Sequence, residues 1–262
     1  MLPKPKGLEP TYGAQFRDQS IADSYPTRPP YPREVFEILL GLAQDAPPMV
    51  LDLGCGTGDI ARELAPHVAR VDAVDPSVTM ITRGKALPGG QHANIQWMVS
   101  TAEEFSYPAR YALVVAAESL HWMDWDRVLP NIRRSLTPQG RLAIVLGREF
   151  RHEPWAAEVR DLIARYSTNR DFAPYDLLIE LARRHLFVPE HRRQTQPIPF
   201  TQTVEDYIES FHSRNGLSRE RMGPSAVEFD AQLKALVARY QPGPVLEFEL
   251  VADLVWGIPR VG

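Results

Sequence analysis

The stretch VLDLGCGTGDIARELAPHVARVDAVDPS, residues 50–77, sets Gly54, Gly56 and Gly58 on alternate positions directly after a hydrophobic run. A chain does not need three such glycines merely to leave a strand. Bare backbone at this spacing calls for a tight turn that opens into a helix, where main-chain N–H groups can approach a small ligand. The fold must therefore supply a strand–turn–helix unit here, and the remaining sequence must accommodate it.

The sequence does so by repetition. Buried-type strands are expected at 47–53, 69–75, 94–100, 111–117 and 140–147. Helical patterns over 33–44, 59–68, 77–87 and 125–136 alternate with them, the last interrupted by Pro130, which should kink or delay it. That alternation predicts an α/β fold, a doubly wound and mostly parallel sheet with helices on both faces. After residue 148 the rhythm changes to helices at 155–166, 203–212 and 225–240, with strand candidates at 191–199 and 244–256. We expect one domain over 1–262 with seven strands, the last antiparallel. Helical cap insertions are expected over 150–190 and 200–243, and a Pro- and Tyr-rich N-terminal arm or lid over 1–32.

Composition narrows the class. With 29 Lys plus Arg against 33 Asp plus Glu the net charge is −4, and the arginines are scattered, so no nucleic-acid partner is expected. The single cysteine, Cys55, excludes an internal disulfide and any multi-cysteine metal site; no metal is expected. An apolar run approaching the ~18 residues of a membrane span is missing from the sequence, and the expectation is a cytoplasmic protein that engages no membrane. HEPWA (152–156) starts like a zinc-protease motif but lacks the second histidine. The nucleophile-elbow pattern of hydrolases does not occur.

Two ligand chemistries compete for the loop. Gly56-Thr57-Gly58-Asp59-Ile60-Ala61 satisfies the dinucleotide fingerprint, and Asp75 stands where a carboxylate could take a ribose diol. Against a pyrophosphate stand two acids, Asp52 before the first glycine and Asp59 at the start of the helix. They suit a ligand with an ammonium group and no phosphate, such as S-adenosylmethionine. A nicotinamide dehydrogenase remains the rival on spacing alone.

Asp52-Leu-Gly54-Cys-Gly56-Thr-Gly58, the strand ending in Asp75-Pro-Ser, and LHWMD (120–124) resemble class I S-adenosylmethionine-dependent methyltransferases over roughly 15–150. ADSYPTRPPYP (22–32) is similar to the N-terminal segment of a small-molecule branch, methyltransferase type 11 and trans-aconitate methyltransferase-like proteins. The resemblance implies a Rossmann-like fold, S-adenosylmethionine as methyl donor and S-adenosylhomocysteine as product. It implies further that Gly54, Gly56 and Gly58 approach the methionine moiety, with Asp52 attracting the ammonium directly or through water. Asp75 would bind both ribose hydroxyls and Met80 would pack on adenine. The adenine amino group would meet Thr101 with the backbone at Ala102 and Glu103, where the family often has an acid.

Glu118 and His121 follow the fourth strand, and ligands of open parallel sheets bind beyond the carboxyl ends of the strands. They are therefore expected near the reacting methyl, with His121 the candidate general base. Arg28 could hold the carboxylate of the cofactor or of an acidic acceptor. Tyr12, Phe16, Tyr25 and Tyr31 could form an aromatic lid that tolerates a sulfonium. The expected reaction is methyl transfer to a small organic acceptor, at oxygen by resemblance, by a monomer or homodimer. An RNA methyltransferase, which would need a basic face, and a non-catalytic cofactor-binding protein, which turnover would exclude, are the alternatives.

Overall fold

The computed structural model describes residues 4–6, 8, 13–151, 153–171 and 175–260, Glu149 by its backbone alone. Tyr12 and His152 therefore lie outside the described residues.

Five strands form the parallel part of the sheet: β1 (Met49–Leu53), β2 (Arg70–Asp75), β3 (Ile95–Val99), β4 (Tyr111–Ala117) and β5 (Leu136–Arg151). The first helices are α1 (Gln19–Ser24), α2 (Arg33–Leu42), α3 (Asp59–Leu64), α4 (Val78–Ala86) and α5 (Trp125–Ser135). After β5 come α6 (Ala156–Tyr166), α7 (Leu177–Arg183), β6 (Phe187–Gln194), β7 (Ile198–Thr203), α8 (Val204–His212), α9 (Arg219–Met222), α10 (Ser225–Ala238) and β8 (Val245–Pro259). The sheet order is β3-β2-β1-β4-β5-β8-β6, with β7 also on β8, and β8 runs antiparallel to β5.

Both faces of the parallel strands are covered, and their two-residue period shows why. Leu51, Leu53, Val114, Ala116, Leu142 and Ile144 pack under α5. The alternate residues Val50, Leu113, Val115, Ala143 and Val145 pack under α2 and α3. Ser77 caps α4 by accepting the Met80 N–H, and Asp124 caps α5 by accepting from Asp126 and Arg127. Helix α5 runs unbroken past Pro130.

The sheet has eight strands, not the expected seven. The expected strand at 191–199 is two, β6 and β7, separated at 195–197 where Pro197 falls; both lie against the long β8, one at each end. The helices of the two expected insertions also differ in where they pack. Helix α7 lies on the sheet, its Leu181 buried with Phe187 and Trp125. Helices α6, α8 and α10 share a separate core with Leu246 and Phe248 of β8. The described part of the N-terminal arm from residue 13 on is folded: Ile21 and Ala22 of α1 bury Met80, and Asp18 binds Arg221 at 2.5 Å while Gln15 accepts the Gly216 N–H at 3.0 Å. Arm and helical cluster are thereby joined.

Candidate active site

Between β1 and β4 the strand order reverses, so the chains leaving their carboxyl ends diverge and open a crevice. Three of the expected site segments arrive there, the glycine turn after β1, Asp75 ending β2 and the 118–122 turn after β4, and the far half of β5 joins them.

The glycines are required by geometry. Gly54, at φ +72°, gives its N–H to Val74 O at 2.8 Å, and a Cβ there would lie 2.5 Å from Ser119 Cβ. Ser119 in turn donates to Leu53 O at 2.6 Å, locking the β1 and β4 exits together. Gly58, at φ +76°, occupies the left-handed conformation at the start of α3, and a Cβ there would meet Trp97 Cη2 at 2.3 Å. Neither the conformation nor the space admits a side chain.

Asp75 is 9% exposed. Its Oδ2 accepts the Gly56 N–H at 2.9 Å and its Oδ1 the Ser77 N–H at 2.8 Å. Burial raises its pKa against those two N–H donors. Each carboxylate oxygen has a second acceptor position, so both can still take a ribose hydroxyl. The bare Gly54–Gly56 backbone and this doubly anchored carboxylate fit a nucleoside ligand.

The acids flanking the loop are used differently from the sequence expectation. Asp52 is bonded within the protein. Strand alternation turns it to the α3 side, where it is 1% exposed and Oδ2 accepts the Ala61 N–H at 3.0 Å. Burial drives its pKa up to about 8 against that N–H, with Asp59 and Asp75 adding repulsion. Asp59 binds Arg62 at 2.7 Å and lies 3.8 Å from Arg148. One acid is thus held near neutrality and the other is paired, so electrostatic rejection of a phosphate is weaker than the sequence alone indicated.

Glu118 follows β4 at φ +50°. Its Oε2 accepts from Arg148 Nη2 at 2.8 Å and from the Tyr31 hydroxyl at 3.2 Å. Burial opposes its charge, but Arg148 and then Arg28 overcome that and lower its pKa to about 2. Arg148 is almost fully enclosed: it stacks over the Tyr31 ring at 4.1 Å and donates to Pro29 O at 2.6 Å. The carboxylate's ionisation therefore stabilises the fold in full above the ordinary value of 4.5 and ceases to do so as pH falls through about 2. At neutral pH this amounts to about 3 kcal/mol. Glu118→Gln should lose an amount of that order in urea denaturation at pH 7, with the difference from wild type shrinking as pH falls below 4.5. A constant difference across that window would contradict the assignment.

Arg28 is anchored: Nε and Nη2 bind Ser213 Oγ and O at 2.8 and 2.7 Å, the guanidinium lies over the Tyr25 ring at 4.4 Å, and Nη1 is 3.9 Å from Glu118. His121 is half-buried beside Trp122, its ring centroid 4.6 Å away, and its carbonyl accepts from Lys4. Burial lowers its pKa to about 4, with Glu118 opposing and Lys4 and Arg28 adding. Phe16 meets the Trp122 ring edge-on at 5.6 Å. A cleft of about 690 Å3 borders Tyr25, Arg28, Tyr31, Thr57 and Asp59 on the α2–α3 side of the loop.

The adenine-side candidates are engaged locally. Thr101 Oγ1 accepts the Glu104 N–H, Ala102 O accepts from Tyr107, and Glu103 Oε1 accepts the Asp124 N–H at 2.6 Å. Met80 is 1% exposed beneath α1. The sequence reading missed Arg148, Ser119 and Trp97. Arg148 had a signal, an arginine just beyond the run GRLAIVLG, where the carboxyl end of a fifth parallel strand should fall.

The methyltransferase-domain family matches residues 50–140. An uncharacterized methyltransferase of Mycobacterium tuberculosis is 34% identical over 140 residues, 53% of this chain and 54% of that protein. A trans-aconitate 2-methyltransferase of Azoarcus is 31% identical over 58% of this chain and 64% of its own length. The chain spans about half the length of the first curated relatives it matches. Among solved structures, one from Anaeromyxobacter dehalogenans described as a type II methyltransferase superposes with a TM-score of 0.61 at 25% identity, over 88% of this chain and 97% of that one. The same fold recurs in an S-adenosylmethionine-dependent methyltransferase of Thiobacillus denitrificans bound to S-adenosylhomocysteine, TM-score 0.52 at 16% identity, over 92% of this chain and 97% of that one. Residues 50–140 thus match a methyltransferase domain, and the chain has the fold of S-adenosylmethionine-dependent methyltransferases, with the glycine cradle, Asp75 and the reversed strand order at its crevice.

Proposed function

We propose that this protein transfers a methyl group from S-adenosylmethionine to an oxygen atom of a small organic acceptor. The observation that carries the cofactor half is the cradle itself, Gly54 and Gly56 with bare backbone against the doubly anchored Asp75. S-adenosylmethionine supplies, when bound, an electrophilic methyl on a sulfonium leaving group. Around it Gly54, Gly56 and Gly58 would give backbone access and Asp75 would hold the ribose. Met80, Thr101, Ala102 and Glu103 would border the adenine. Asp52 would act by bracing the loop, through Ala61 N. Glu118, fixed by Arg148, would stand beside the reacting end with Arg28. Helices α6, α8 and α10 would enclose the acceptor and exclude water.

His121 bears on which oxygen. Burial leaves its imidazole neutral above about pH 4 and poorly matched to taking a proton from a hydroxyl. An acceptor that arrives already ionised, a carboxylate, needs no base; alignment and exclusion of water then suffice. On this reading His121 is a neutral hydrogen-bonding group that orients the acceptor. His121→Ala should lower kcat by less than about tenfold, against the ~10²–10⁴-fold typical of a lost general base. Any acid limb of kcat/KM that vanishes in this variant should lie near pH 4, not near 6.5. The test of the function as a whole is S-adenosylhomocysteine formation from S-adenosylmethionine across a panel of small acids, alcohols and amines. Turnover confined to amines would contradict oxygen as the acceptor atom.

A further inference from the structure

We infer that Arg214, on the turn after α8, is the residue that selects the methyl acceptor, by holding a carboxylate of it; this rests on the methyltransferase reading above. Arg214 follows Ser213, the residue to which Arg28 is tied by two hydrogen bonds, so two guanidinium groups are brought to one wall of the site. They are not equivalent. Arg28 spends its donors on Ser213, approaches Tyr25 and Glu118, and is fixed. Arg214 makes, among the described residues, no side-chain hydrogen bond and no ion pair. Its guanidinium lies over the Phe211 ring at 4.2 Å.

A guanidinium stacked by its face keeps its edge available, and that edge matches the two oxygens of a planar carboxylate. The Arg214 side chain is exposed, and Arg28, Glu118, Tyr207 and Glu153 are near enough to act on it electrostatically. Arg28 puts a second positive charge beside it, and the pair calls for counter-charge. The nearby acids do not supply it. Glu118 is already committed to Arg148, and Glu153 is bound to the Tyr207 hydroxyl at 3.0 Å with its own pKa raised by burial. A sulfonium bound beside Glu118 would add further positive charge. An anionic acceptor balances all of these at once, and a cationic or neutral one does not.

The placement on the turn of α8 fits a specificity role. The glycine loop and Asp75 lie on the sheet and serve the cofactor, whereas Arg214 comes from the helical cluster. The two can therefore be separated experimentally. Protein saturated with S-adenosylhomocysteine should be titrated with succinate and phenylacetate, each against its primary amide, and with inorganic phosphate. The expected result is binding of at least one acid at least tenfold tighter than its amide. Arg214→Gln should erase that preference, Arg214→Lys should restore part of it, and both variants should bind S-adenosylhomocysteine as wild type does. Acids binding no better than amides, phosphate binding better than any acid, or a preference that survives Arg214→Gln would overturn the proposal. Failure of the wild type to take up S-adenosylhomocysteine at the saturation step would count against the methyltransferase reading instead. Arg214 is on an accessible turn, and the unchanged cofactor affinity doubles as the control for folding.

Discussion

Asp75→Ala should raise the dissociation constant for S-adenosylhomocysteine by at least a hundredfold in calorimetric titration. A carboxylate accepting two ribose hydroxyls makes two charge-assisted bonds of ~1.5–3 kcal/mol each, and their joint loss corresponds to roughly 10²–10⁴ in affinity. The residue also fastens the loop, through the Gly56 and Ser77 N–H groups, so the alanine variant loses preorganisation as well as contacts. Asp75→Asn separates the two contributions. It keeps the side-chain shape and one acceptor oxygen, and should fall between wild type and alanine while unfolding close to the wild-type temperature. An alanine variant within threefold of wild type would mean that Asp75 serves only the loop.

Gly58→Ala should be destabilising by about 2–5 kcal/mol and should weaken cofactor binding with it. Two costs combine. Alanine at φ +76° is strained, and its Cβ would fall 2.3 Å from Trp97 Cη2. The indole cannot swing away freely, because Nε1 donates to Gly90 O at 3.0 Å and Gly84 already abuts the same ring edge. Shortening the neighbour should therefore recover part of the loss. In a double-mutant cycle, Gly58→Ala with Trp97→Leu should unfold less readily than the two single effects sum to. The backbone strain should remain. Strict additivity in urea denaturation would show that the indole contact is not what excludes a side chain.

The alternating parallel architecture and the glycine loop were legible because they rest on local rules, period-two burial and positive φ. Asp75 was legible for the same reason, since the end of β2 fixes where its side chain emerges. What escaped the sequence depends on pairing over long separations. Nothing near Glu118 announces that Arg148, thirty residues on, will neutralise it. Nor does the segment around Arg28 reveal Ser213 as its partner, 185 residues away. The division of 187–203 into two strands reflects the length of β8, which pairs with one at each end. Asp52 is a case where the residue was legible and its state was not: its charge was read from the sequence, but burial beneath α3 raises its pKa.

That last point leaves spacing and loop charge unable by themselves to separate an S-adenosylmethionine site from a dinucleotide site, and direct binding decides it. The wild-type protein should be titrated calorimetrically with S-adenosylhomocysteine and, in parallel, with NAD. The predicted result is one molecule of S-adenosylhomocysteine per chain with a micromolar dissociation constant and no heat from NAD. Binding of NAD without S-adenosylhomocysteine would contradict the account at its root.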